Sequence, residues 1–338
     1  MYRDIGIDLG TSNTLVYVKN KGIIIREPSV VAVNTYTERA SYVGQEAKDV
    51  IGRTPGSIVA VKPIKHGVIA DFDITTVMLQ EFIKRALKGS IMAKARVWIC
   101  IPSGITPVER RAVREASEYA GAKGKVSIIE QPMASAIGAG LPINEAMGNM
   151  IVDIGGGTTE VALISMGSIV VSCSVRVGGD DLDEAIINFI KKKYSLFIGE
   201  RTAEEVKKAI GSAYPLDREE EAEISGRNAI NGLPENITIT SAEIRDALSD
   251  PLSKIIEAIK NVLEKVPPEL SADIIDEGIR ITGGCANLRG IDSLINRETG
   301  IPSFCSEYPM DCVVKGIGKI MESPSKYKYA LSEEPRYI

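Results

Sequence analysis

The chain has 338 residues, 44% hydrophobic and 25% charged, with a net charge of −5. At roughly 100–200 residues per domain it can form two or more domains, each with its own core. The acidic balance excludes a protein that is basic over its whole surface, as a general nucleic-acid binder would be, and no run approaches the roughly 18 apolar residues that span a bilayer. A strand-like run begins within a few residues of Met1, so no signal peptide is expected and the composition reads as a cytoplasmic globular protein.

Ile5-Gly6-Ile7-Asp8-Leu9 alternates at the period of a strand and ends in the turn cluster Gly10-Thr11-Ser12-Asn13. Residues 14–18 and 23–25 read as the next two strands and 29–33 as a fourth. Residues 97–101 form a buried-type strand stopped by Pro102, 108–120 a helix stopped by Gly121, and 126–129 a further strand before a helix that opens at Pro132. Then the opening arrangement returns. Residues 150–154 are a strand, Gly155-Gly156-Gly157-Thr158-Thr159 is its turn, and 161–165 and 169–171 form the hairpin. Both copies read Asp-apolar-Gly, then small and hydroxyl residues, then paired strands, which predicts two similar halves facing each other. Leu182, Ala185, Ile186, Phe189 and Ile190 make one helical face, and Thr202 with Glu205 has the spacing of a capping box. Apolar residues from Ile244 to Leu263 predict a long helix over about 241–265. Strand 278–281 leads into a third glycine turn, Thr282 to Asn287. Mixed strands and helices in this order predict an α/β fold.

The chemistry is narrowed by what is scarce. The five cysteines form no CxxC pair and read as reduced thiols, and the single histidine, His66, is not set in a nucleophile elbow. Catalysis by histidine or a cysteine-bound metal is therefore disfavoured. Two facing glycine turns converge backbone N–H groups in the way that binds phosphate oxygens, and glycine lets the phosphate come close. Thr11, Ser12, Asn13, Thr158 and Thr159 add short polar groups, and Asp8 and Asp153 at the strand ends suit a hydrated Mg²⁺ ion. There is no GxxxxGK[ST] and no GxGxxG after the first strand, so neither a P-loop nor a dinucleotide fold is expected.

These residues resemble the actin superfamily of ATPases, and more closely the bacterial actin family of MreB and Mbl. The motifs are Asp8-Leu9-Gly10-Thr11-Ser12-Asn13-Thr14-Leu15, Glu27-Pro28-Ser29-Val30-Val31-Ala32, Ile129-Glu130-Gln131-Pro132, Asp153 to Glu160, Arg176-Val177-Gly178-Gly179-Asp180, Ile198 to Glu204, Pro267-Pro268-Glu269-Leu270 and Ile281-Thr282-Gly283-Gly284. The resemblance runs from about Ile5 to about Met321. It implies an actin-like ATPase fold with two duplicated halves of five-stranded mixed sheet plus helices, and four subdomains around a nucleotide cleft. Residues 1–32, 71–145 and 315–338 would form subdomain IA, 33–70 IB, 146–181 and 242–314 IIA, and 182–241 IIB.

The resemblance also implies roles. ATP and Mg²⁺ would be held by Asp8, Gly10, Thr11, Ser12 and Asn13 from one side and by Asp153, Gly155, Gly156, Gly157 and Thr158 from the other, with Asp8 and Asp153 ordering the metal's waters. Glu204, Glu205 and Lys207 would touch the nucleoside, the alternative being a solvated helix face, and Gly283, Gly284, Cys285 and Ala286 would pack on the adenosine. Gln131 with Thr158 would hold the attacking water. The family usually has a second acidic residue where Gln131 stands; glutamine orients water but takes no proton, so slow hydrolysis is expected. Glu130 is the alternative base, though its place in the strand points it to the other face. Ile91 and Met92, ringed by Lys84, Arg85, Lys88, Lys94 and Arg96, would enter an anionic membrane, unless they tuck against the core.

Members of the family polymerise into paired filaments on the inner face of the cytoplasmic membrane and organise cell-wall elongation with partners such as RodZ and MreC, maintaining rod shape. The alternatives are an ATP-gated adaptor or chaperone-like ATPase that does not polymerise, and a small-molecule kinase of the same fold. The tail from Ser323, with Tyr327, Tyr329 and Tyr337, is expected to be flexible or to touch a neighbouring subunit.

Overall fold

A computed structural model describes residues 2–50, 56–88 and 93–331. Among these residues the strands form two five-stranded sheets and three smaller ones. In the first large sheet the central strand Tyr2–Leu9 lies antiparallel to Asn13–Val18, which pairs on to Gly22–Pro28, and parallel to Lys94–Ile101, which pairs on to Ser127–Glu130. The second repeats that plan. Asn149–Ile154 lies antiparallel to Thr159–Ser165 and then Ser168–Val175, and parallel to Ile279–Thr282 and then Ser303–Cys305. The duplication read from two Asp-apolar-Gly turns is therefore a duplication of whole sheets.

Each sheet is covered on both faces, because its strands are apolar on both. Along Lys94–Ile101, Val97, Ile99 and Ile101 enter one core with the helices Phe72–Leu87 and Pro107–Tyr119, while Trp98 and Cys100 enter another. Burying each such aliphatic side chain is worth about 1.5–3 kcal/mol. The second core lies between the sheets and is filled by the helices Gln131–Ala139 and Cys312–Glu322. These two helices cross closely: a Cβ on Gly138 would strike the Cys312 carbonyl, and one on Gly316 the Ala134 carbonyl. They are the packed joint between the halves. A third core, on the far face of the second sheet, takes in the helices Gly179–Tyr194 and Ser241–Leu263.

Two small three-stranded sheets stand outside the large ones. One places Val31–Asn34 between Arg39–Val43 and Ile58–Val61, with the short helix Gln45–Asp49 beside it. The other is built from Leu196–Phe197, Glu221–Asn228 and Pro234–Thr240, next to the helix Glu200–Ile210.

Several local expectations change. The helix Glu200–Ile210 starts at Gly199 in extended backbone, so Thr202 lies inside the first turn and is no cap; Glu205 pairs instead with Arg201 one turn earlier, at 2.9 Å. The capping box falls at the next helix, where Thr240 and Glu243 satisfy each other's backbone N–H. The helix Phe72–Leu87, capped by Asp71, was not anticipated from its spacing. As far as Leu331 the tail folds back: Tyr327 and Leu331 pack on the core between the sheets, Ala330 is buried, and Leu331 bridges Ile129 on an edge strand, while Tyr337 lies outside the described residues.

All five cysteines are free. Burial pushes every one of their thiols above its ordinary value, to about 11 for Cys285, Cys305 and Cys312.

Candidate functional site

The duplicated central strands carry Asp8 and Asp153 one residue before their ends, and the turns that follow meet face to face. A Cβ on Gly156 would run into Ser12 Oγ, and one on Gly157 would come within 2.5 Å of Thr11 Oγ1. Only glycine lets the two turns approach this closely. Gly155 N–H donates back to the Thr158 carbonyl at 2.8 Å, and Gly179 and Asp180 donate to the carbonyls of Gly155 and Gly156. On the opposite turn, Ser29 Oγ donates to the Gly10 carbonyl at 2.7 Å, and Asn13 is exposed.

The two carboxylates lie at the base of these turns. Asp153 is buried, and accepts from Thr282 Oγ1 and Gln131 Nε2, each at 2.8 Å. Burial raises it, against those bonds. Asp8 is raised to about 8 by burial and then by the charge of Asp153. The partners of Asp153 are neutral, and the two acids repel. Paired hard oxygen donors of this kind fit a Mg²⁺ ion held through water.

Neighbouring residues in the chain separate at Gln131. Gln131 faces Asp153, whereas Glu130 turns to Arg110 on the helix Pro107–Tyr119, at 3.8 Å. Thr158 is buried beside Gly67, whose N–H donates to Thr11 Oγ1 at 3.0 Å. The tip of the hairpin formed by Ile64–Lys65 and Val68–Ile69 thus sits on both turns, with His66 in the left-handed region. That contact was not foreseen, although a glycine at such a tip marks the turn. Asp180, which accepts from Ser12 Oγ at 3.3 Å, was also missed.

The third turn closes the far side. Gly283 N–H donates to the Pro309 carbonyl, Gly284 and Cys285 open the short helical turn Gly284–Asn287, and Ala286 is buried. Cys285 Sγ lies 3.4 Å from the Gly155 carbonyl, which ties this turn to the second glycine turn. Lys207 Nζ donates to the Gly179 carbonyl at 2.8 Å and pairs with Asp183 at 2.8 Å. Glu204 pairs with Lys208 at 2.6 Å and Lys48 at 3.0 Å, and Glu205 is on the exposed face with Arg201.

Ile91 and Met92 lie outside the described residues. Of the basic residues around them, Arg85 pairs with Glu81 and Glu27, and Arg96 with Asp4. Among the described residues no helix is long and apolar enough to cross a membrane.

Two sheets of one topology, joined by a pair of crossing helices and meeting at mirrored glycine turns, define an actin-like fold. Comparison with known proteins narrows the class. The MreB/Mbl protein family matches residues 2–329, and the chain belongs to it. It is similar to the cell shape-determining protein Mbl of Bacillus cereus, 51% identical over 321 residues that cover 95% of this chain and 96% of that one. It is similar to the cell shape-determining protein MreB of Escherichia coli, 52% identical over 324 residues covering 94% and 93%. Among solved structures, MreB5 of Spiroplasma citri bound to ADP superposes with a TM-score of 0.91 at 38% identity, covering 96% of this chain and 98% of that one. The MamK double helical filament shares the fold, with a TM-score of 0.81 at 20% identity over 96% and 99%.

Proposed function

We propose that this chain is an actin-like cytoskeletal protein that binds ATP with Mg²⁺ between its halves. It polymerises into paired filaments on the inner face of the cytoplasmic membrane and organises cell-wall elongation, with RodZ and MreC as partners, so as to maintain rod shape. The observation that carries the reading is the contact of the turns at Ser12–Gly156 and Thr11–Gly157, above the acidic pair Asp8 and Asp153. The names of its relatives as cell shape-determining proteins, and the ADP and AMPPNP complexes of MreB5, support it.

In this reading Gly10, Thr11, Ser12 and Asn13 hold phosphate oxygens from one half, and Gly155, Gly156, Gly157 and Thr158 from the other. Asp8 and Asp153 order the metal's water, and the metal neutralises phosphate charge. Gln131, anchored through its amide nitrogen on Asp153, aims its carbonyl oxygen at a water beside Thr158, and hydrolysis is slow because that oxygen accepts a hydrogen bond but no proton. Gly283, Gly284, Cys285 and Ala286 face the adenosine, with Lys207 opposite them. Ile91 and Met92 supply the membrane contact.

The test is co-pelleting with anionic liposomes in ATP, in ADP and without nucleotide, followed by electron microscopy and phosphate release. Paired filaments on lipid that require ATP are expected. Monomers in every condition, with ATP bound, would move the assignment to a non-polymerising ATP-gated adaptor.

A further inference from the structure

Beside the glycine turns the two halves are joined by charge. Lys48, on the helix Gln45–Asp49, meets Glu204 on the helix Glu200–Ile210 at 3.0 Å. Lys62, just beyond the strand Ile58–Val61, meets Glu200 at the start of that same helix at 2.8 Å, and Asp180 at 3.7 Å. The basic members all come from the outer sheet of the first half and the acidic members all from the second. The contacts run straight into the site, because Asp180 also accepts from Ser12 Oγ and donates its N–H to the Gly156 carbonyl. Glu204 responds to both of its neighbours. Burial pushes its carboxyl up, but hydrogen bonds from Lys208 and Lys48 outweigh that and hold it at about 2.

We propose that Lys48–Glu204 and Lys62–Glu200 act as an electrostatic clasp that holds the halves closed beside the glycine turns and sets the rate at which nucleotide leaves. The proposal rests on the nucleotide reading of the cleft. Both lysines and Glu204 are about one-third exposed and Glu200 is more so. Ion pairs of this kind are weak singly and are screened by salt. Two of them, mounted on a packed helix and on a sheet of the opposite half, form a latch that breaks and remakes without unfolding anything. Removing one pair should speed opening without altering the turns that contact the ligand.

The experiment measures release of a fluorescent ATP analogue from the full chain, chased with excess ATP, at a protein concentration below that at which filaments form. Lys62→Ala and Glu200→Ala are each expected to speed release about threefold. The double variant is expected to release no faster than the faster single variant, the signature of a shared contact. Lys48→Ala, which leaves Glu204 in place, is expected to speed release likewise, and added salt should speed release in the wild type more than in the variants. Single variants at the wild-type rate, or a double variant whose effect is the product of the singles, would overturn the clasp. A wild-type chain that takes up no analogue would overturn the nucleotide reading and the clasp with it, so the two failures are told apart by loading alone.

Discussion

Gln131 and Glu130 are adjacent and chemically similar, yet the end of one strand sends them to different places. The Gln131 amide reaches the buried Asp153, while Glu130 lies by Arg110. Gln131→Ala is therefore expected to lower phosphate release about tenfold to a hundredfold, since the cost of losing one positioning group is of that order. Nucleotide affinity should stay within about threefold, because the turns proposed to hold phosphate are untouched. Single-turnover phosphate release and equilibrium binding of the same preparation check both parts. Asp8, Asp153 and the glycines between them were legible because a repeated Asp-apolar-Gly pattern is visible in one dimension. Gly67 and Asp180 were not, because their role comes from contacts with Thr11, Thr158 and Ser12 across 50 residues or more of chain, and neither lies in a duplicated motif.

Helix boundaries follow from which side chain finds the free N–H groups, and Thr202 and Thr240 show the two outcomes. Thr202 lost the position to Gly199, which adopts the extended backbone a cap requires, and Glu200 then takes the favourable first position of the helix dipole. The Thr202–Glu205 spacing located that helix, but it could not fix a start three residues earlier, where the winning residue has no side chain to betray it. Thr240, which the sequence reading did not single out, caps its helix, and Glu243 reaches back to its N–H at 2.8 Å. Glu243 also accepts from Lys193 and Tyr194, each at 2.5 Å, and so fastens the helix Ser241–Leu263 to the end of Gly179–Tyr194. Burial pushes its carboxyl up, but Lys193, Tyr194 and Thr240 outweigh burial and hold it at about 2. A depressed value means stability that is fully present above the ordinary glutamate range and is lost as pH falls toward 2. Glu243→Gln keeps a capping-box acceptor but loses the charge that Lys193 and Tyr194 bond to, and is expected to cost about 1 kcal/mol at pH 7. The difference should narrow below about pH 4.5 and vanish near pH 2. Thermal melts of both proteins from pH 7 down to pH 3 would follow that convergence.

The contacts between the halves include the crossing helices Gln131–Ala139 and Cys312–Glu322, the facing glycine turns, and the ion pairs from Lys48 and Lys62. Only the first is a packed core, so a ligand gripped by both turns adds directly to the cohesion of the halves. Nucleotide with Mg²⁺ at about a hundred times its dissociation constant is expected to add about 2.7 kcal/mol to stability. A melting point that rises with nucleotide concentration, and falls back on chelating the metal, would report this; a melting point indifferent to nucleotide would count against the shared cleft. The duplicated architecture was legible from sequence because each half repeats its own local signals. The joint was not, since its close crossing depends on Gly138 meeting Cys312 and Gly316 meeting Ala134, pairs that no local pattern connects.

The suppressed thiols have a practical consequence. Maleimide and iodoacetamide dyes attack thiolates; burial raises all five native thiols, which favours the unreactive form at neutral pH, and Cys100 and Cys312 are also enclosed. One new cysteine on an exposed face of each half, such as at Tyr36 and Ile230, can then be tagged in the presence of the native five. Distances between the halves become accessible to fluorescence without first stripping the core of its sulfur.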